Sequence, residues 1–388
     1  MSTTRPDVVV IGGGIHGAGV AQAAAAAGYS VRVLEKTGIA SGTSCRSSKL
    51  VHGGLRYLES GQFALVRESL RERDLLLRNA PSLVRLVPFH IPVYRNTQRG
   101  RLTIRAGLSL YALLGNLRPN TRFETLPRRQ WDTLDGLETN GLKAVFRYYD
   151  GQTDDAALTQ AVMRSAQKLG AELACPAEFL RATCKGDGYV VHYRTLQGEQ
   201  ECECGALVNA AGPWVNTVLT GVEPHPPLPA IELVQGAHIV LDGALTHGVY
   251  YTEAEDRRAV FVMPWRSLTL VGTTETRFTG DPAQVRPLAE ETDYLLRTFR
   301  HHFPQRDIHV RDQFAGLRVL PQGTGSAFHR PRETVYLTDA ESKPRLVNIY
   351  GGKLTGYRAT AAKALALLRP ALPARRAQAD TADLRIGD

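Results

Sequence analysis

Residues 7–35 read DVVVIGGGIHGAGVAQAAAAAGYSVRVLE. The β-branched run Asp7–Ile11 has the composition of a strand buried on both faces. The glycine cluster Gly12, Gly13, Gly14, Gly17 and Gly19 follows at once. An alanine-rich helical stretch from Ala18 to Ala27 comes next, with Gly28 as its stop. Ser30–Leu34 is a second strand, ending at Glu35. Strand, glycine turn, helix and strand make one βαβ unit. Within Gly12-x-Gly14-x-x-Gly17 the first glycine permits the tight turn, the second lets a pyrophosphate approach the backbone, and the third lets helix and strand pack closely. The helix N-terminus stabilises phosphate charge. Glu35 stands about 20 residues past the first glycines, placed to accept hydrogen bonds from an adenosine ribose, with Lys36 beside it. The glycine pattern alone is a weak signal. With a strand before it, a helix after it and an acid at this distance, it predicts a bound dinucleotide.

Two later stretches bear on which dinucleotide. Residues 206–214 (ALVNAAGPW) resemble the strand and turn that many two-dinucleotide-fold flavoproteins bring back beside FAD. Ala211, Gly212 and Trp214 are the expected contacts, and FAD is favoured over NAD. Residues 41–59 read SGTSCRSSKLVHGGLRYLE. The hydroxyls of Thr43, Ser44, Ser47 and Ser48 can donate to FAD phosphates and ribityl oxygens. His52, Gly53 and Gly54 offer an imidazole and close backbone approach, and Arg56 and Tyr57 a cation and a phenol.

This last stretch resembles the signature SSKL-x-HGGLRYLE of the FAD-dependent glycerol-3-phosphate dehydrogenases, and Ser47–Glu59 match it almost throughout. Four later segments agree with the same family: 236–240 (GAHIV), Pro264-Trp265 with 272–275 (GTTE) and 280–282 (GDP), 316–318 (GLR), and 351–358 (GGKLTGYR). The resemblance runs in order from residue 7 to about 370. It implies an α/β chain in which a Rossmann-type FAD-binding domain of the D-amino-acid oxidase and glutathione reductase type joins an antiparallel-sheet substrate domain. On that basis the cofactor domain is expected over 1–85, 145–225 and 310–370 and the substrate domain over 86–144 and 226–309; the alanine-, arginine- and aspartate-rich composition after Pro370 predicts a flexible tail over 371–388. The implied reaction oxidises sn-glycerol 3-phosphate to dihydroxyacetone phosphate, with hydride passing from C2 to flavin N5 and electrons onward to a quinone or other acceptor.

Residue by residue, the substrate is a small dianion and Arg56, Arg318 and Lys353 are cations suited to it. Arginine favours bidentate phosphate capture and lysine a point contact. Thr355 adds a hydroxyl, and Gly352 and Leu354 stand with it on the cofactor side. His52 and His238 are the two candidates for the base that takes the hydroxyl proton, since neutral imidazole suits that task near pH 7. Tyr57 would orient the substrate or relay the proton. Departures from the family pattern are Gly356 in place of a second threonine, His16 in place of an asparagine, Arg46 where a small residue is common, and 147–155 (RYYDGQTDD), which lacks an aromatic residue before its acidic pair. The family's helical C-terminal domain is expected to be missing from these 388 residues.

Composition sets outer limits. A hydrophobic fraction of 43% with 22% charged residues excludes a wholly disordered chain. The formal charge of +9 favours anionic partners, but no nucleic-acid motif accompanies it. Five scattered cysteines without a CxxC pair predict neither a disulfide framework nor a metal site. Cys202 and Cys204 are expected on one face of a strand. No signal peptide and no spanning helix is read, so the expected location is cytoplasmic, or peripheral on the cytoplasmic face of the inner membrane. The basic and apolar stretch Arg99–Leu117 reads either as an interfacial helix or as one packed on the protein itself. Helices are also expected over 63–80, 154–170 and 289–301, and the His301–His302 pair is expected at the surface. Two alternatives stay open: an enzyme acting on another small anionic hydroxy compound, such as a hydroxy acid or phosphonate, and a flavin-binding protein without turnover. The oligomeric state is not readable.

Overall fold

In the computed structural model, which describes residues 5–322 and 333–387, strand Val8–Ile11 lies inside a six-stranded sheet. Strands Ala206–Asn209 and Val31–Leu34 flank it in parallel. Beyond them lie Leu346–Tyr350 and Glu172–Ala174, also parallel, and Val335–Thr338 closes one edge in the antiparallel sense. A parallel sheet is buried on both faces. Here helices Ile15–Ala26, Asp155–Lys168 and Tyr357–Leu368 cover one side, where Ala18, Ala21, Ala24 and Ala25 pack against Leu158, Val162, Ala361 and Ala364. Small alanines let the three helices approach closely. The opposite face carries the antiparallel strands Glu178–Lys185, Gly188–Thr195 and Gly198–Cys204. Both Cys202 and Cys204 turn toward that core, beside Val9, Ile11 and Leu207.

A ten-stranded, mostly antiparallel sheet forms the second half. Its longest members are Val84–Tyr94, Leu142–Thr153, Ile231–Leu241 and Val310–Pro321. Helix Ala289–His302 packs Leu295 and Phe299 on one face. Helices Phe63–Asn79 and Arg101–Leu114 pack Val66, Leu70, Leu108 and Tyr111 on the other. The fold class is therefore α/β with a Rossmann-like parallel sheet and an antiparallel partner. Sheet membership cuts across the expected segment boundaries. Residues 145–153 and 310–321, expected in the cofactor segments, pair along their length with Val84–Tyr94 and Ile231–Leu241 in the large sheet. Residues 323–332 of the expected 310–370 segment lie outside the described residues.

Two expectations are corrected. The described part of the tail, 371–387, is docked along the protein. The backbone amides of Gln378 and Ala379 donate to the Ala26 carbonyl at 2.7 and 3.1 Å, supplying partners that the end of helix Ile15–Ala26 otherwise lacks. Gly28 leaves room for this, because a Cβ there would overlap the Arg376 carbonyl. Arg375 pairs with Asp7 at 2.9 Å, and Ile386 is buried with its amide on the Asn79 carbonyl. The second correction concerns the histidine pair. His301 is exposed, but His302 is buried, with Nε2 2.9 Å from the Glu253 carbonyl and its ring against Tyr94.

Candidate active site

The two sheets enclose a cavity of 830 Å³ that opens at the C-terminal end of strand Val8–Ile11. All the candidate site residues except Gly17 line it: Gly12, Gly14, Glu35, Lys36, Thr43, Ser44, Ser47, Ser48, His52, Arg56, Tyr57, Ala211, Gly212, Trp214, His238, Arg318, Gly352, Lys353, Leu354 and Thr355. Gly17 lies one helical turn back, where a Cβ would overlap the Gly12 carbonyl.

One end of the cavity is shaped by backbone. Gly12 holds a left-handed φ of 104°, and a Cβ there would lie 2.7 Å from the Ala210 carbonyl oxygen. Helix Ile15–Ala26 begins at Gly14 with no acid in its first turn, so its positive end suits an anion. The Ser44 hydroxyl accepts from the Ile15 amide at 2.9 Å. Glu35 faces the same end. Its carboxylate accepts from the amides of Gly13 at 2.6 Å, Thr37 at 2.8 Å and Gly38 at 3.1 Å, so it braces the glycine turn. Lys36 lies 4.0 Å over the Trp214 ring. Thr43 donates to the Leu317 carbonyl at 2.9 Å, which ties the loop to the large sheet.

Charged side chains shape the other end. The Ser47 hydroxyl donates to Asp155 at 2.6 Å, and Lys49 pairs with the same buried carboxylate at 2.7 Å. This fixes residues 47–49, with Lys49 at a positive φ of 59°. Ser48 then reaches His238, Oγ to Nε2, at 2.9 Å. His238 stacks on Phe314 with ring centroids 5.0 Å apart. Burial foremost, then the charges of Arg318 and Lys49, push its pKa down to about 3, so the ring is neutral at ordinary pH. Arg318 is held by Glu275 at 3.0 Å and by the Thr273 hydroxyl at 3.2 Å.

Arg56 and Lys353 meet at Tyr57, the guanidinium 5.8 Å and the ammonium 3.9 Å from its ring centroid. Thr355 accepts from the His52 amide at 3.2 Å. The cavity wall also includes residues that were not candidates from sequence: Asp155, Glu275, Tyr251, Arg258 and Phe261. Asp155 also serves the start of its helix, where its carboxylate accepts from the Ala156 amide at 2.9 Å. His16 also faces this space, with burial lowering its pKa to about 4. Among the described residues no cluster of His, Cys, Asp or Glu could hold a metal ion.

A parallel sheet with a glycine turn at a helix N-terminus, joined across one cavity to an antiparallel sheet, defines a dinucleotide-binding fold of the flavoprotein type. A family model described as FAD dependent oxidoreductase (DAO) matches residues 7–363. A glycerol-3-phosphate dehydrogenase from Pseudomonas aeruginosa is 39% identical, over 94% of this chain and 72% of its own. D-erythritol 1-phosphate dehydrogenase from Brucella abortus is 36% identical, over 95% of this chain and 74% of its own. Among solved structures, the glycerol-3-phosphate dehydrogenase from Bacillus halodurans complexed with FAD superimposes with a TM-score of 0.75 at 26% identity, covering 100% of this chain and 68% of that one. The chain belongs to the FAD dependent oxidoreductases, and within them to the glycerol-3-phosphate dehydrogenase family. FAD is its cofactor, and the cavity fits it. The cavity combines the size of a ligand site, an anion-ready helix end and a glycine turn that tolerates no side chain.

Proposed function

We propose that the protein oxidises a small phosphorylated polyol, sn-glycerol 3-phosphate first, at the carbinol next to the phosphate-bearing carbon, giving dihydroxyacetone phosphate. The observation that carries this reading is the grouping of Arg56, Tyr57, Lys353, Arg318 and His238 around one cavity, together with the names of the relatives. FAD supplies the hydride acceptor when bound. The chain's own residues do the rest. Arg56, Lys353 and Arg318 hold the phosphate, since cations in a cavity screened from water bind a dianion strongly. His238, kept neutral by burial and by two neighbouring cations, is one candidate for taking the hydroxyl proton at Nε2, beside Ser48, where a phosphate dianion on Arg318 offsets the repulsion that otherwise opposes its charging. His52 is the second candidate for that role. Arg318, already oriented by Glu275, presents its plane without rearrangement.

Anaerobic titration of the purified yellow protein with sn-glycerol 3-phosphate tests the reading. Bleaching of the long-wavelength flavin band supports it, and a protein that stays oxidised overturns it. Erythritol 1-phosphate belongs in a parallel titration, because one of the relatives carries that name. In a mutant series, Arg318→Ala should raise KM about 10- to 100-fold, the worth of a charged hydrogen bond, with flavin content unchanged. An equal loss of flavin would assign Arg318 to the cofactor or the fold.

For the acceptor we propose a quinone, and with it a peripheral contact on the cytoplasmic face of the membrane. No helix among the described residues is long and apolar enough to cross a membrane. Helix Arg101–Leu114 supports surface contact. It buries Leu108, Tyr111 and Ala112 against the protein yet leaves Leu102 81% and Leu113 59% exposed, alongside exposed Arg101 and Arg105.

A further inference from the structure

Behind the His52–Gly54 turn lies a set of buried polar groups to which the reaction described above gives no part. Asp150, on strand Leu142–Thr153, and Arg73, on helix Phe63–Asn79, are fully buried, and Tyr111, on helix Arg101–Leu114, is 1% exposed. Arg73 pairs with Asp150 at 3.0 Å, and the Tyr111 hydroxyl donates to the other Asp150 oxygen at 2.6 Å. The Gly53 amide donates to the Tyr111 oxygen at 3.0 Å and to Asp150 at 3.3 Å. Gly53 N–H is the member that belongs to the turn, between His52 and Gly54, both of which line the cavity. We propose that Tyr111, Asp150 and Arg73 are positioning residues that set the His52–Tyr57 turn from behind.

The chemistry of burial favours this over a purely stabilising role. An ion pair taken out of water often gives no net stability over apolar residues of similar volume, which favours a role in what it holds in place. Its hold is tight. A Cβ on Gly53 would collide with the Tyr111 hydroxyl and with Leu70, and a Cβ on Gly54, at φ 77°, would collide with the Tyr57 ring. One residue before the pinned amide is His52, and four after it is Tyr57, whose amide closes the turn on the Gly54 carbonyl at 2.8 Å. A hydroxyl that donates to a carboxylate and accepts from an amide fixes the distance between them. Removing it lets the amide drift toward the Asp150 oxygen, and both side chains move with it.

The proposal rests on the reading of His52 and Tyr57 as substrate-facing, so its test has one readout that needs no substrate. In the FAD-loaded protein, Tyr111→Phe removes a single oxygen and keeps the ring. Hydrogen exchange across residues 50–58 should accelerate about tenfold or more on loss of the anchoring bonds. Turnover of sn-glycerol 3-phosphate should fall about tenfold or more, the usual result of misplaced reacting groups, while flavin content changes less than about threefold. Asp150→Asn, which keeps the volume, should accelerate the same exchange, and it decides the question if Tyr111→Phe fails to fold. Leu108→Ala, on the buried side of the same helix, is the control, with a lowered melting temperature and unchanged turnover. Unchanged exchange in both polar variants overturns the proposal. So does equal loss of turnover in Leu108→Ala and Tyr111→Phe, which would mean that stability alone is at work. A wild-type flavin that sn-glycerol 3-phosphate does not reduce would sink the substrate assignment, and the exchange result would still decide the positioning role.

Discussion

The two ends of the cavity are built by different means. At the glycine end the working groups are backbone amides and empty Cβ positions, supplied by consecutive residues from Gly12 to Gly17 and braced by Glu35. At the opposite end they are charged side chains, each held by a partner far along the chain. Lys49 and Asp155 are 106 residues apart, and Arg318 and Glu275 are 43 apart. A backbone site tolerates surface changes but no added atom where strand and helix meet. A charge site tolerates changes of volume but no loss of a partner.

Removing the Asp155 carboxylate gives the largest expected effect. The Lys49 side chain is 6% exposed and that of Asp155 is fully buried, so Asp155→Ala leaves a cation without a counter-charge in a low-dielectric site. The expected cost is about 3–5 kcal/mol, read by denaturant unfolding. The double variant Lys49→Met with Asp155→Leu should regain most of it, because the desolvation penalty goes with the charges. A double variant as unstable as Asp155→Ala would mean that the loop 47–49 needs the hydrogen bonds themselves.

At the glycine end Gly17→Ala adds one methyl group. That Cβ overlaps the Gly12 carbonyl, and backbone atoms on both sides of the contact cannot both withdraw. A cost of about 3 kcal/mol is expected, at the upper end for overpacking, with flavin lost on purification. Absorbance of the purified protein checks it. A variant that keeps its flavin and its melting temperature would remove the contrast between the two ends.

These magnitudes track what the sequence makes legible. The glycine turn can be read because its rules act between neighbours: a strand, three glycines, a helix and an acid follow in 29 residues, 7–35. The loop 41–59 is equally local, and all its candidate side chains line the cavity. Charge partners are invisible in the same text. Nothing around Asp150 marks Arg73, 77 residues earlier, or Tyr111, 39 earlier, as its neighbours. The tail misleads for a related reason. Its alanine, arginine and aspartate composition resembles a disordered segment, but it docks through backbone amides on Ala26, which composition does not report. Segments 145–153 and 310–321 crossed the expected boundaries because a long strand pairs where its register leads.

A third comparison concerns protons. His16 at the glycine end and His238 at the charged end are both held neutral by burial, with pKa lowered to about 4 and about 3, as are His90 and His302 at about 4. A histidine whose folded value lies below its ordinary 6.5 takes up a proton only after unfolding. Stability is therefore intact above pH 6.5 and is lost as pH falls toward 4, by up to about 1.4 kcal/mol per pH unit for each such group. The carboxylates held low, Asp7, Asp135 and Asp256, add their loss chiefly below their ordinary 3.8. Urea unfolding of the flavin-loaded protein at pH 6.5 and 4.5 samples the histidine window, above the carboxylate one. His238→Asn should lessen the slope of the upper one by the share of one histidine among four, and a slope it leaves unchanged would mean that His238 is charged in the fold.

The smallest effect on stability is expected outside the cavity. Leu102 and Leu113 contribute little to the core, because most of each side chain already meets water. Changing both to serine should alter stability by no more than about 0.5 kcal/mol. If helix Arg101–Leu114 is the surface that meets lipid, the same change should lower sedimentation with anionic vesicles, because apolar contact and basic attraction act together there. Arg101→Gln with Arg105→Gln should weaken binding further and remove much of its salt dependence. Tyr111, which pins Gly53, projects inward from this helix, so lipid contact and active-site geometry are read on opposite sides of one element. Serine variants that bind vesicles as the wild type does would confine the helix to its inner face.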